Sequence, residues 1–244
     1  MQEVRDTPRV LVVEHEPDCP LDRFAGWLDQ VELAIVRPYA GDPVPRLDGV
    51  SRRTCMIDGV IVLGGQMSAY DDEIAPWLPA TRDLLAASVA DGTPTLGICL
   101  GAQLLAVACG GKVDVAAVTG RESGVVDVRW LPSAAADPLV AGLPDPFPGP
   151  SMHADVIVDL PDGATWLGSS EMYPHQAFRV GPAAWGVQFH PEVSLATIRG
   201  WAEHLPDVDT EAVMAELAAR DADVAVAGEL LVRRFAEIVL DSGA

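Results

Sequence analysis

The sequence predicts an α/β fold: a doubly wound, mostly parallel sheet with helices on both faces, antiparallel additions and a helical C-terminal appendage. Short apolar runs alternate with helical stretches through the first half of the chain, and short alternating runs follow from Lys112. Hydrophobic residues make up 49% of the 244 positions and charged residues 21%, so the chain has the composition of a globular protein with a substantial core.

Four apolar runs in the first half are typical of buried parallel strands, because both faces of such strands are covered. They are RVLVVEH (9–15), VELAIVRP (31–38), DGVIVLGG (58–65) and TPTLGIC (93–99). An amphipathic stretch (21–30) and two helical stretches (75–92 and 100–111) lie between or after them, and Gly110 and Gly111 end the last helix. This alternation predicts right-handed crossovers between parallel strands.

From Lys112 to Gln188 the short runs are broken by proline and glycine, which predicts antiparallel strands added at one end or edge of the sheet. Two or three helices are predicted from Leu195 onward. The sequence shows neither an internal repeat nor a low-complexity linker. We therefore expect one domain over residues 1–205, with residues 206–244 as a helical extension of the same domain.

The net charge limits the classes of binding partner that are expected, and the cysteine pattern limits the kinds of metal site and disulfide. Acidic residues number 36 against 16 basic ones, for a net charge of −20, so binding to nucleic acid or to an anionic membrane is not expected. The N-terminus lacks an apolar signal segment, and the four cysteines show no CxxC spacing. We expect a cytoplasmic protein with no metal site and no disulfide framework.

Cys99 lies in the sequence G-I-C-L-G (97–101), directly after an apolar strand and before an apolar helix. This pattern has the form of the G-x-S-x-G nucleophile elbow, with cysteine in place of serine. Its glycines let strand and helix approach without Cβ clashes, and the start of a helix stabilises a thiolate. A small buried cysteine fits the same five residues, so the pattern alone does not decide between them.

His190 ends an apolar strand in WGVQFHPEV (185–193). Residues i and i+2 of an extended segment project to the same side, so His190 and Glu192 are expected to point together. Pro191 restricts the backbone between them. A carboxylate on one imidazole nitrogen leaves the other free to take a thiol proton. Combined with the elbow, this pair predicts a catalytic cysteine and not a histidine on a solvated sheet edge.

The segment VLGGQMSAYDD (62–72) places a Gly–Gly turn after a parallel strand, where doubly wound folds bind ligands. We expect the backbone N–H groups of Gly65 and Leu100 to receive the oxyanion of a tetrahedral intermediate.

These three segments, in this order, resemble the class I glutamine amidotransferases, which release ammonia from glutamine with a Cys–His–Glu triad. The resemblance runs from about residue 58 to residue 193 and is greatest to free-standing members similar to the amidotransferase domain of GMP synthase. It implies Cys99 as nucleophile, His190 as general base and acid, Glu192 as the carboxylate that orients His190, Gly65 and Leu100 as the oxyanion hole, and Gln103 as a residue that holds the glutamine substrate.

The sequence departs from the family pattern at two places. Gln66 stands where many relatives carry proline, and Ala154 stands where relatives often have glycine between His153 and Asp155. His153 is interpreted either as a residue at the substrate entrance or as a structural histidine. Neither a synthetase nucleotide loop nor a Walker loop occurs, so this chain is not expected to make GMP alone.

Three functions stay open at this point. The first is a glutaminase whose ammonia passes to a separate synthase, and the second is a stand-alone γ-glutamyl hydrolase or peptidase. The third is a non-catalytic binding module, against which the intact Cys99, His190 and Glu192 argue. The expected substrate is a small molecule, L-glutamine or another γ-glutamyl compound. No metal and no organic cofactor is implied, since the chemistry needs only a thiolate, a proton shuttle and backbone donors.

Overall fold

A computed structural model of the chain describes residues 7–47 and 57–242. The strands are β1 (Arg9–Val13), β2 (Glu32–Val36), β3 (Gly59–Val62), β4 (Thr95–Ile98), β5 (Lys112–Asp114), β6 (Glu122–Trp130), β7 (Phe147–His153), β8 (Val156–Asp159), β9 (Thr165–Ser169), β10 (Ala177–Val180) and β11 (Ala184–Val187). The α-helices are α1 (Phe24–Trp27), α2 (Leu78–Asp91), α3 (Leu100–Ala108), α4 (Leu195–Glu203) and α5 (Thr210–Ser242).

Nine of these strands form one mixed sheet in the order β2-β1-β3-β4-β11-β10-β9-β6-β7, and β5 pairs with β8 in a separate two-stranded sheet. The pairs from β2 to β4 are parallel, as the four apolar runs predict. The predicted doubly wound α/β fold with antiparallel additions and C-terminal helices is thereby confirmed. The amphipathic stretch at 21–30 is helical only over the four residues of α1, within a run of turns.

Alternate residues of the parallel strands divide between two cores, one on each face of the sheet. Val10, Val12 and Ile61 pack with side chains of α1 and α5 on one face. Leu11 and Val60 pack with side chains of α2 and α3 on the other. This two-sided burial explains why the strands read as continuous apolar runs.

β11 differs from the sequence expectation of a purely antiparallel addition. It pairs antiparallel with β10 but parallel with β4, in register from Thr95–Ala184 to Ile98–Val187. A short hairpin after β10, with Gly181 at a φ of 59°, reverses the chain so that β11 runs in the direction of β4. Hydrophobic periodicity does not depend on the direction of a strand, so the sequence pattern could not predict that β11 is parallel to β4. The end of β11 consequently lies beside the end of β4.

The sequence patterns did not identify β7, because its prolines at 148 and 150 count against a strand. β7 is the last strand of the sheet and pairs only with β6, where Pro150 faces Val125 and Pro148 faces Asp127. Edge strands tolerate proline because one row of their backbone groups has no strand to pair with.

The C-terminal helix α5 packs against both halves of the sheet, and α4 packs against α5 and β7. Ser194 caps α4, and its backbone N–H donates to Asp22 Oδ2 at 2.7 Å. The 33-residue helix α5 approaches the sheet so closely at Gly228 that a Cβ atom there would overlap the carbonyl oxygen of Pro191. None of the helices in the described parts of the chain is both long enough and apolar enough to cross a lipid bilayer.

Candidate active site

Cys99 occupies the turn between β4 and α3 with φ 49° and ψ −105°, a left-handed conformation that is strained for a residue with a side chain. A Cβ atom at Gly97 would lie 2.5 Å from the carbonyl oxygen of Gly101, and one at Gly101 would overlap that of Val62. Both glycines are therefore needed for the close packing of strand and helix. This packing holds Cys99 at the N-terminus of α3, as the elbow pattern predicts.

His190 follows β11 and is fixed from two directions. Its backbone N–H donates to Pro150 O at 2.7 Å, and its Nδ1 lies 2.8 Å from Glu192 Oε1. Both side chains are 2% exposed. Because the carboxylate occupies Nδ1, Nε2 is the ring nitrogen available to other groups.

The surroundings of His190 favour its charged form. Burial opposes a charge on the ring, but the attraction of Glu192, followed by that of Cys99 and by hydrogen bonds to both, outweighs it and raises the pKa of His190 to about 10. At neutral pH the ring is thus an imidazolium beside the Cys99 sulfur. A neighbouring imidazolium is one of the features that stabilise a cysteine thiolate.

Gly64 lies against the Cys99–His190 pair and escaped the sequence reasoning, which selected its neighbour Gly65. A Cβ atom at Gly64 would lie 2.8 Å from His190 Cε1 and 3.7 Å from Cys99 Cβ. Any side chain here would press directly on the imidazole ring. The Gly–Gly pair at the end of β3 was the sequence signal that could have identified Gly64. At both glycines an added Cβ atom would come too close to neighbouring side chains.

Gly65, one of the two expected oxyanion donors, lines the cavity in front of Cys99. Leu100, the other, is the first residue of α3, where backbone N–H groups have no acceptor within the helix. The loop that carries Gly65 is held by Glu16, whose Oε1 accepts a hydrogen bond from the Gln66 backbone N–H at 2.8 Å. Burial raises the pKa of Glu16. No local pattern in the sequence pointed to this carboxylate.

Gln103 also lines the cavity, and its amide is engaged by the protein. Its Nε2 donates to Asp155 O at 3.0 Å and to Gln188 Oε1 at 3.3 Å, and Gln188 Nε2 in turn donates to Cys99 Sγ at 3.6 Å. Gln188 was not selected from the sequence, although it lies two residues before His190, in the segment that directly follows β11. The two glutamines form one chain of contacts that ends at Cys99.

His153 lies on the cavity wall with both ring nitrogens facing acceptors. Nδ1 is 3.0 Å from Asp155 O and Nε2 is 3.0 Å from Glu122 Oε2. Glu122 also accepts hydrogen bonds from Ser170 Oγ at 2.5 Å and Gln176 Nε2 at 2.6 Å. The ring of His153 therefore links β7 to β6 through its contact with Glu122. Both ring nitrogens are engaged within the protein, so neither is free to exchange a proton with a substrate.

The cavity has a volume of about 330 Å³, at the small end of the range of pockets that hold organic ligands. The loop at Gly65 forms one wall, Gln103 and Asp155 form a second, and Trp201 of α4 belongs to a third. Of the six predicted site residues, Cys99, His190, Gly65 and Gln103 line this cavity. Glu192 lies behind His190, and Leu100 follows the nucleophile.

Comparison with known proteins agrees with this geometry. The family model for glutamine amidotransferase class-I matches residues 31–200. The chain belongs to this family. Among curated proteins, a glutamine-hydrolyzing GMP synthase of Streptococcus equi subsp. zooepidemicus is 37% identical over 137 residues, which are 55% of this chain and 24% of that protein. One of Thermomicrobium roseum is 39% identical over 136 residues, 56% of this chain and 23% of that protein.

Solved structures match this amidotransferase over nearly its whole length. A glutamine amidotransferase of Thermotoga maritima has a TM-score of 0.81 and 26% identity, covering 96% of this chain and 100% of that one. A glutamine amido transferase of Methylobacillus flagellatus has a TM-score of 0.80 and 26% identity, covering 95% of each chain. The match to the GMP synthases, in contrast, spans about a quarter of their length.

Proposed function

We propose that this amidotransferase hydrolyses a γ-glutamyl amide bond, in the simplest case that of L-glutamine, with Cys99, His190 and Glu192 as its catalytic triad. The observation that carries the proposal is the buried His190–Glu192 pair, 2.8 Å between Nδ1 and Oε1, placed against a cysteine at the N-terminus of α3. The family assignment makes an amide of glutamate the expected substrate.

In the first step the Cys99 thiolate attacks the carbonyl carbon of the side-chain amide. The carbonyl oxygen takes up the negative charge and accepts hydrogen bonds from the Gly65 and Leu100 N–H groups. These donors are held in place beforehand, one by the glycine loop tied to Glu16 and the other by the first turn of α3. Preorganised donors of this kind contribute ~3–4 kcal/mol to transition-state stabilisation.

In the second step the C–N bond breaks and His190 gives its proton to the departing nitrogen, leaving a γ-glutamyl thioester on Cys99. Water, deprotonated by the now neutral His190, then attacks the thioester carbon and releases glutamate and the Cys99 thiolate, with His190 again protonated. Glu192 keeps Nε2 directed at the reacting atoms throughout. Gln103 and Gln188 border the space for the glutamyl group.

Ammonia is the second product when glutamine is the substrate. The similarity to glutamine-hydrolyzing GMP synthases supports transfer of this ammonia to a separate synthase. A free thiolate also requires reducing conditions, and we place the reaction in the cytoplasm on that ground.

The test is the release of glutamate and ammonia from L-glutamine by the purified protein. Replacing Cys99 with alanine should lower the rate at least 10³-fold, because the other thiol that lines the cavity, Cys19, donates to Glu16 and burial raises its pKa. The matched control is Cys109→Ala, since Cys109 is a half-buried thiol at the far end of α3. Glutaminase activity that survives in the Cys99 variant at the level of the Cys109 variant would refute the proposed nucleophile.

A further inference from the structure

The cavity has an apolar wall on the side of His190. Met152 at the end of β7, Trp201 of α4 and Leu205 just after α4 line the cavity together, and we call these three residues the amine wall. The Trp201 ring lies 4.6 Å from the His190 ring, centroid to centroid, at an interplanar angle of 57°. Its Nε1 donates to Asp18 O at 2.7 Å, so the orientation of the indole is fixed.

The chemistry of the proposed reaction assigns this wall to the leaving group. An amide carbon carries an oxygen, a nitrogen and a carbon chain, which must point in three different directions. The oxygen points to the N–H groups of Gly65 and Leu100. The nitrogen must lie within reach of His190, which protonates it. A substituent on that nitrogen therefore extends along the surface next to His190, and this surface is the amine wall.

The wall is part of the folded core and not an isolated apolar spot. Met152 and Trp201 belong to a buried cluster with Ile198, Val213 and Met214 of the two C-terminal helices. Trp201 is 9% exposed. Helix α4 and the residues just after it thus contribute directly to the cavity, and side chains of α5 pack against them from behind.

Charges around the cavity indicate which substituents fit. Asp155 is the one acidic side chain among the described residues that line it, and its Oδ1 accepts the Ala116 backbone N–H at 2.9 Å. Arg121 and His204 line it too, and Arg121 is paired with Asp207 at 2.9 Å. None of the three residues of the amine wall is charged, so a cationic substituent packed on it would lose water without gaining a carboxylate partner there. An uncharged apolar one would cover the wall and displace water from it.

We infer that the preferred substrate is the γ-glutamyl amide of an amine with an uncharged apolar substituent, which packs on the amine wall while the amide bond lies at Cys99. This inference rests on the proposed hydrolysis by the triad. Thiolate attack cleaves the C–N bond, His190 protonates the amine, and water completes the cycle to give glutamate and the free amine. Ammonia from glutamine is the smallest leaving group of this class and leaves the wall uncovered.

The experiment compares three substrates by the glutamate that each releases: L-glutamine, γ-glutamyl-pentylamide and γ-glutamyl-(4-aminobutyl)amide. The last two have side chains of equal length that end in a methyl group and an ammonium group. We expect kcat/KM for the pentylamide to exceed that for each of the others at least tenfold. A tenfold difference equals ~1.4 kcal/mol, the effect of burying about two methylene groups.

Two variants separate the wall from the rest of the protein. Leu205→Glu places a carboxylate on the wall and should lower the pentylamide to aminobutylamide ratio at least tenfold. The matched control is Leu230→Glu, because Leu230 is a 46% exposed leucine of α5 that does not line the cavity. It should leave the ratio within twofold of the wild-type value.

The outcomes are distinct. Glutamine hydrolysed as fast as the pentylamide, or a ratio that Leu205→Glu does not change, overturns the inference and leaves the triad standing. Hydrolysis of none of the three substrates by the wild-type protein overturns the proposed function, and the inference with it. A preference for the aminobutylamide would show that the cavity accepts cations and would also overturn the inference.

Discussion

Replacing Gly64 with alanine tests the close packing of the glycine loop against His190. The added Cβ atom would lie 2.8 Å from His190 Cε1, whereas Cβ atoms in proteins essentially never come within 3.0 Å of such a neighbour. The φ angle of Gly64 is outside the left-handed region, so alanine does not strain the backbone there. The perturbation is therefore a direct push on the imidazole ring.

The size of this push follows from the geometry. The ring has to retreat by 0.2 Å to reach 3.0 Å and by 0.6 Å to reach the ordinary contact distance of 3.4 Å. Its 2.8 Å bond to Glu192 and the adjacent Trp201 ring oppose the retreat. Misplacement by 1 Å costs about 10²-fold in rate, so we expect kcat/KM to fall about tenfold, or ~1.4 kcal/mol. Overpacking of ~1–3 kcal/mol, partly offset by ~0.4–1 kcal/mol from reduced unfolded-state entropy, predicts a stability loss of up to about 2.6 kcal/mol.

Steady-state glutamate release and urea unfolding measure the two effects. Gly26→Ala is the matched control, since Gly26 lies in α1 with no atom within 4 Å of an added Cβ. It should keep wild-type kcat/KM and gain up to ~1 kcal/mol of stability. Equal activity in the Gly64 and Gly26 variants would refute the reasoning, because the ring would then have room that the structure does not show.

Two further predictions concern the histidines. Glu192→Gln removes the strongest influence that raises the pKa of His190, so the alkaline limb of kcat/KM should move from about pH 10 toward neutrality and kcat should fall about 10²-fold. In the wild type the raised pKa of His190 stabilises the folded state fully below pH 6.5, and this stabilisation is lost as the pH rises to about 10. The free energy of unfolding, measured in urea from pH 6.5 to 10, should therefore decline more steeply in the wild type than in Glu192→Gln. His15 is buried, and burial lowers its pKa to about 4, with its Nδ1 3.0 Å from Trp77 Nε1. The free energy of unfolding should therefore fall by up to ~1.4 kcal/mol per pH unit as the pH decreases from 6.5 to 4, because the unfolded state takes up the proton first. In His15→Asn the free energy of unfolding should depend less steeply on pH over this range. Identical slopes in wild type and variant would contradict either assignment.

Local patterns were sufficient for the parallel half of the fold and for the elbow. Strands covered on both faces produce unbroken apolar runs, and the glycines around Cys99 record the close approach of β4 and α3. The direction of β11 and the proline-containing strand β7 had no comparable signal, because both depend on neighbours distant in the sequence.

Local sequence patterns likewise predicted some features of the candidate site and not others. The i, i+2 spacing was enough to predict the contact of His190 with Glu192, although the structure makes it in a turn beyond the end of β11 and not within an extended strand. The support of Gln66 by Glu16, the clearance at Gly64 and the position of Trp201 arise only from tertiary packing. Glu16 and Gln66 are fifty residues apart, and no periodicity links them.

The parallel pairing of β4 with β11 has a consequence for the order in which the parts of the molecule fold. Its partners, such as Thr95 and Ala184, are separated by strands β5 to β10, so closing this long loop is a late event in folding. A nascent chain or folding intermediate that has completed only the parallel half holds Cys99 without His190 beside it. Under the proposed function, the thiol therefore acquires its base only when β11 pairs with β4, and amide hydrolysis requires the finished fold.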